Sequence, residues 1–147
     1  MRYIDHVFIH CTGGNQNATP EDLMKIFKDK GWKNPGYHYV IDKNGATHQL
    51  LDIKELANGV AGHNANSIHI AWIGGLDGVD NRTPAQKITL GSWISFFSQM
   101  GMLVMGHREI WGRNPKNWQK TCPNFDVWVE YPVVNQKLDL KTQYMIV

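Results

Sequence analysis

Hydrophobic positions change period several times along this chain, and each change marks an element. Residues 2–10 (RYIDHVFIH) are rich in β-branched and aromatic side chains and predict a strand that ends on a histidine. Residues 13–17 (GGNQN) form a loop. Thr19-Pro20-Glu21-Asp22 then reads as a helix start, with threonine as N-cap, proline at the first helical position and acids in the first turn. Leu23, Ile26 and Phe27 give that helix an apolar face, and Gly31 stands where a terminating glycine belongs. Two strand-like runs, 37–41 (YHYVI) and 47–51 (THQLL), flank Asn44-Gly45, which predicts a hairpin. A short irregular or helical piece covers 53–60. Residues 67–73 (SIHIAWI) are almost continuously apolar and predict a strand in the middle of the sheet. Thr83-Pro84-Ala85-Gln86 repeats the cap pattern, now with glutamine in the capping-box position. It opens a long helix to about Gly101, with Ile88, Leu90, Trp93, Ile94 and Phe97 turned inward. Residues 102–105 predict a brief buried strand ending at Gly106-His107, a long ordered loop runs to Cys122-Pro123, and 125–129 predict a short helix. Strands alternating with helices place the chain in the α/β class: a single mixed central sheet flanked by helices.

Composition narrows this picture. With 147 residues, 42% of them hydrophobic, the chain suits one domain spanning 1–147 that folds without disulfide staples, its tail after about 131 partly ordered. A net charge of +2 argues against a dedicated nucleic-acid binder, which concentrates lysine and arginine. No run approaches the roughly 18 apolar residues of a membrane span, so no membrane insertion is expected. The first strand begins near Met1 with no charged and apolar leader before it, which predicts no signal peptide and accumulation in the cytoplasm. The chain is expected to be a monomer. Cys11 and Cys122 permit a disulfide but do not require one.

Three side chains with metal-binding chemistry sit just past strand ends or on the long loop: His10, His107 and Cys122. Two imidazoles and a thiolate suit zinc, and three protein ligands leave the open position of a catalytic site. Zinc lowers the pKa of bound water to about 7, which is the use of that position. Spacing alone makes this weak, because seven histidines are present and a histidine at a strand end is ordinary.

Context makes it specific. Ile9-His10-Cys11-Thr12, Gly36-Tyr37-His38-Tyr39, Asn66-Ser67-Ile68 with Gly74-Gly75, Arg82-Thr83-Pro84-Ala85-Gln86, Gly106-His107-Arg108-Glu109 and Lys120-Thr121-Cys122-Pro123-Asn124-Phe125-Asp126 follow one another in that order. This string, over residues 2–130, resembles the N-acetylmuramoyl-L-alanine amidase family, which also contains phage lysozymes and the peptidoglycan recognition proteins. The resemblance implies an amidase-like or peptidoglycan-recognition-protein-like fold and one zinc per chain on His10, His107 and Cys122. It implies that Tyr37 contacts the metal-bound water or the tetrahedral intermediate and that Lys120 holds the developing oxyanion. The substrate it implies is the lactyl-L-alanine amide of peptidoglycan or muropeptides. The biological role it implies is that of a phage or prophage endolysin, which reaches the wall through a holin-like lesion or by delivery. Read alone, Tyr37 would be a half-buried strand tyrosine and Lys120 a solvated lysine. No HExxH glutamate is present to serve as base, so Tyr37 or the hydroxide must manage the proton.

Two departures from the family stand out. Many members carry a histidine shortly before the Asn-Ser-Ile segment; here either His63, beside Asn64, fills that role or the position has been lost to Gly59. The family glycine after Ser-Ile is His69 here. Trp111 and Trp118, on the long loop, either line a groove for sugar or peptide or pack as core like the other tryptophans. Cys11 and His38 should face away from their neighbours His10 and Tyr37, the first as a small buried hydrophobe and the second as a structural hydrogen-bonder. Asp126 is open between a partner to the site and a helix cap. An alternative function is a non-catalytic peptidoglycan-binding module on the same fold, but such relatives typically lack the ligand cysteine that this chain keeps. A third is polymerase restraint: a phage relative in the family binds an RNA polymerase, and nothing in this sequence maps such an interface.

Overall fold

The almost continuously apolar run of residues 67–72 forms the central strand of the sheet. In the computed structural model, which describes residues 2–132, β4 (Ser67–Trp72) has no exposed position. It sits between β2 (Tyr39–Ile41) and β1 (His6–Cys11). The sheet continues on one side to β3 (Thr47–Gln49) and on the other to β5 (Leu103–Gly106), giving the order β3-β2-β4-β1-β5 among the described residues. Only β2 and β3 run antiparallel; β1 is parallel to both β4 and β5, and β2 to β4. A mixed sheet was expected from the sequence, and the tail beyond 132 lies outside the described residues.

Local chemistry explains the elements. In the hairpin, Asp42 Oδ1 accepts from the N–H groups of Asn44 and Ala46, and Gly45 takes the left-handed turn position at φ +84°. Helix α1 (Pro20–Asp29) begins with a capping box between Thr19 and Asp22, and α2 (Pro84–Gln99) with one between Thr83 and Gln86. Gln86 is buried, and its amide donates to the carbonyls of Ile41 and Ile73, so it also ties α2 to the sheet. A short α3 (Val127–Glu130) closes the described chain.

The helices take opposite faces. Leu23 and Phe27 of α1 pack with Val40, Ala71 and Ile73, while Leu90, Ile94 and Phe97 of α2 join the larger core containing Ile9, Ile41, Ile70 and Trp72. No helix among the described residues is long and apolar enough to cross a membrane.

Several expectations need correction. Strand β1 starts at His6 rather than at residue 2, because Arg2 turns its guanidinium onto the carbonyls of Ile53, Asn64 and Ser67 instead of joining the ladder. Ile26 is 48% exposed and Ile88 72% exposed. Ile88 lies two residues from Leu90, about 200° around the helix, and so faces away from the stripe formed by Leu90, Ile94 and Phe97. Of the two readings open for 53–60, the irregular one holds: the segment has turns and no helix. The loop after β5 winds into two 3₁₀ turns, His107–Trp111 and Pro115–Asn117.

Candidate active site and metal centre

Adjacent parallel strands bring the first two donors together. Ile9 of β1 pairs with Gly106 of β5, so the residues that follow, His10 and His107, emerge side by side at the carboxyl ends of the strands. Their rings lie 5.0 Å apart. The long loop returns Cys122 to the same point, held by a hydrogen bond from the Cys11 N–H to its Sγ at 3.2 Å and one from the Arg108 N–H to its carbonyl at 3.0 Å. Cys122 Sγ is 3.7 Å from His10 Nδ1. One donor atom from each of His10, His107 and Cys122 lies within 4.8 Å of the others. Tetrahedral zinc with bonds of about 2.0–2.3 Å separates its donors by about 3.3–3.6 Å, so a small contraction closes the set. Cys11 and Cys122 are both free thiols.

The electrostatics fit a cation. Burial holds the His10 imidazole well below its ordinary range, with His69, His107 and Lys120 adding to the effect. Burial, then Lys120 and His63, lowers His107 to about 4. Both rings are therefore neutral at pH 7 and offer lone pairs. Burial pushes the Cys122 thiol well up, so a thiolate there needs a positive charge beside it. A metal ion supplies that charge, and the donor set suits zinc.

The cluster sits at the base of a cleft. A cavity of about 450 Å³ is lined by His10, His107 and Cys122 together with Tyr37, Lys120 and Trp32. A second cavity of about 630 Å³ shares His107, Lys120, Trp32, Asn58 and Gly59 with the first, and adds His63, Trp111 and Gln119. The two are arms of one cleft that meet at His107 and Lys120. The Tyr37 ring packs 5.2 Å from His10 and edge-on to Phe27, and its hydroxyl donates to the Cys11 carbonyl at 3.4 Å. Burial, then the Cys122 and Cys11 thiols, raises its pKa, so the phenol keeps its proton. Lys120 is exposed on the rim. Trp111 stacks on His107 with ring centroids 5.5 Å apart.

The structure thus brings together His10, Tyr37, His107, Lys120 and Cys122, with His63 and Trp111 on the second arm. Asn64 and Trp118 do not line either arm. Asn64 Oδ1 accepts from the Val60 N–H and fixes its own loop. Trp118 donates to the Gly112 carbonyl and carries the Arg108 guanidinium over its ring at 4.0 Å, which organises the long loop. Asp126 caps α3, accepting from the N–H groups of Trp128 and Val129, and pairs with Arg113. His38 is fully buried and hydrogen-bonded to backbone on both ring nitrogens.

Trp32, grouped with core tryptophans on composition, is instead 39% exposed in the cleft and stacked on Phe27. Nothing local distinguishes it from Trp72, which is fully buried. His69 was visible only as a departure from the family. Here it meets the other departure, because a Cβ built on Gly59 would lie 2.2 Å from His69 Nδ1. A side chain at position 59 and the histidine at 69 cannot both occupy that space, while His63 stands on the second arm beside Trp111.

Known proteins resemble this chain in sequence and in fold. The model of the N-acetylmuramoyl-L-alanine amidase family matches residues 1–125. An endolysin of Escherichia phage T7 is 30% identical over 131 residues, 84% of this chain and 82% of that protein. An endolysin of Enterobacteria phage T3 is 29% identical over 129 residues, 82% of this chain and 81% of that protein. Among solved structures, the endolysin amidase LysCS from Clostridium intestinale superposes with a TM-score of 0.73 at 23% identity, covering 94% of this chain and 85% of its own. Drosophila PGRP-LB superposes with a TM-score of 0.69 at 18% identity, covering 88% and 80%. Those two likenesses establish the fold.

Proposed function

The chain belongs to the N-acetylmuramoyl-L-alanine amidase family, and from that premise we propose that it is a zinc-dependent hydrolase of the amide between the lactyl group of the glycan and the first L-alanine of bacterial peptidoglycan. The observation that carries the reading is the gathering of His10, His107 and Cys122 donor atoms within 4.8 Å at the base of a cleft that Tyr37 and Lys120 also line.

One zinc per chain, held by those three side chains, would polarise the scissile carbonyl and lower the pKa of water. The remaining work belongs to the protein. Tyr37 stays a neutral phenol and acts as a hydrogen-bond donor to oxygen that gains charge, not as a base. Its contacts with His10 and Phe27 hold the ring in place for that role. Lys120 reaches in from the rim as the cation for the oxyanion; one such donor is typically worth about 10²–10³ in kcat. Trp111 and His63 on the second arm present an aromatic face and a polar ring to sugar or peptide.

Similarity to phage endolysins supports a phage or prophage endolysin, accumulating in the cytoplasm and reaching the wall through a holin-like lesion. The described residues 2–132 are read as one monomeric domain, and the remainder of the expected 1–147 span lies outside the described residues. The test is release of stem peptides from purified peptidoglycan by the zinc-loaded chain. Free peptides with an N-terminal L-alanine, lost in Cys122→Ala and with chelator, are the expected result. Stoichiometric zinc and muropeptide binding without release would mark a binding module instead.

A further inference from the structure

His10 Nε2, the ring nitrogen turned away from Cys122, lies 3.0 Å from Nδ1 of His69. We propose that His69 is a positioning residue for the metal centre: it accepts the Nε2–H of His10 and so keeps the lone pair of His10 Nδ1 directed at the metal position. The inference rests on the reading of His10 as a ligand.

Strand register places the ring. His69 of β4 is the partner of Phe8, two residues before His10 on β1, and alternation puts all three side chains on one face. The imidazole is fully buried and has a near-parallel ring on each of two neighbours: Phe8 at 5.6 Å and 10°, and His38 at 5.9 Å and 8°. His38 is itself fixed. The His69 N–H donates to its Nδ1 at 3.0 Å, which leaves its Nε2 to donate to the Glu55 carbonyl at 2.8 Å. Packing therefore aims the His69 ring at His10 and leaves it little freedom to turn.

The proton follows from the donor atoms. His10 Nδ1 is the nitrogen that faces Cys122 Sγ, at 3.7 Å, so it must be unprotonated to bind a metal and the proton must sit on Nε2. His69 Nδ1 is the acceptor within reach of that proton, and His69 then carries its own proton on Nε2, which is buried without a partner among the described residues. Gly59 completes the argument. Its backbone is not in the left-handed region, so no turn demands glycine there, yet a Cβ would come within 2.2 Å of His69 Nδ1. Glycine at 59 is what gives His69 room to reach His10. Partners of this kind typically contribute 10- to 100-fold in metal affinity.

The experiment is competition of the metal-free full chain with a zinc chelator, alongside the absorption spectrum of the cobalt-substituted protein. His69→Phe keeps a flat ring for the stack and removes the acceptor, His69→Gln keeps an acceptor, and Gly59→Ala displaces the ring while leaving residue 69 unchanged. The expected result is about 10- to 100-fold weaker zinc binding and an altered cobalt spectrum for His69→Phe and Gly59→Ala, with His69→Gln within a few-fold of the parent. If His69→Phe does not fold, Gly59→Ala decides alone. Parent-like zinc affinity in the Phe variant, or equal losses in Phe and Gln, overturns the positioning role and leaves the ligand assignment standing. A parent chain that binds no zinc overturns both.

Discussion

On the face of the sheet that α2 covers, Ile9, Ile41, Ile70 and Trp72 are buried against Leu90, Ile94 and Phe97. On the other face, the same strands and the residue leading into β2 bury His10, His69 and His38, each at most 1% exposed. Burial on the first face is favourable for every side chain, at roughly 1.5–3 kcal/mol for each large aliphatic or aromatic one. Burial on the second is tolerable only while the imidazoles stay neutral and find partners. The His69 Nε2 has no hydrogen-bond partner among the described residues. The α2 face is packed with apolar side chains, whereas the other combines the apolar contacts of α1 with a preorganised polar site. Substitutions should therefore separate activity from stability according to the face they touch.

The sharpest break in the comparison comes at the metal centre. Cys122→Ser should lower peptide release by about 10³-fold or more, because several kcal/mol of transition-state stabilisation is lost with the metal. The melting temperature of the metal-free protein should hardly move, since serine keeps the side chain nearly the same size and can still accept from the Cys11 N–H. A matching loss on chelation of the parent would tie both effects to the ion. Next in size is Lys120→Ala, for which kcat should fall about 10²–10³-fold with zinc stoichiometry and stability unchanged.

The apolar face should show the opposite pattern. Leu90→Ala removes a fully buried side chain from the middle of α2 and should cost about 2–5 kcal/mol, read by denaturant unfolding. The molecules that remain folded should keep the parent kcat/KM. A Leu90 variant that loses activity in proportion to Cys122→Ser would show that the two faces are not separable.

Acid should act strongly on the histidine face, beside the carboxylates Asp42 and Asp80, whose hydrogen bonds hold their pKa values down, and Glu109, which burial raises to about 7. In the metal-free protein burial lowers His69 to about 3 and His107 to about 4, whereas an unfolded histidine titrates near about 6.5. A folded pKa below the unfolded one contributes stability that is complete above about pH 6.5. Below that pH the unfolded chain takes up protons that the folded one refuses, and stability falls towards pH 4 and below. Thermal unfolding of metal-free protein between pH 8 and pH 4 should show this decline, and His69→Phe should flatten it. An unchanged slope in that variant would mean that other groups govern the acid limb.

The same contrast explains what could be read from the sequence. Helix starts at Thr19 and Thr83, the Asn44-Gly45 turn and the apolar β4 are set by neighbours in the chain, and each is present in the structure. His10, His107 and Cys122 were legible through the ordered motifs that resemble the amidase family; in the structure parallel pairing brings His10 and His107 together and the long loop returns Cys122 to them. Contacts across long separations were not legible. The inward placing of Ile88 failed because apolar character alone does not fix which side of a helix meets the sheet. Trp32 carries no local mark of the cleft it lines. The His69–His10 contact spans 59 positions and depends on a glycine ten residues before His69, which no periodicity reports.

The smallest effects should come from the two helix caps, and they are unequal for a physical reason. Thr19 accepts the Asp22 N–H at an exposed helix end. Thr83 accepts the Gln86 N–H and also donates its hydroxyl proton to the Lys43 carbonyl at 2.7 Å, so it joins α2 to the hairpin as well as starting the helix. Thr83→Ala should therefore cost about 1–2 kcal/mol and Thr19→Ala about 0.5–1 kcal/mol within the usual range for caps. Chemical denaturation of both variants measures the difference. Thr83→Ser, which keeps both hydrogen bonds, should stay close to the parent. Equal losses at the two threonines would mean that the bond to Lys43 adds nothing and that α2 is held to the sheet and hairpin by Gln86, by the bonds of Thr89 to Gly45 and Trp93 to Thr47, and by its apolar stripe.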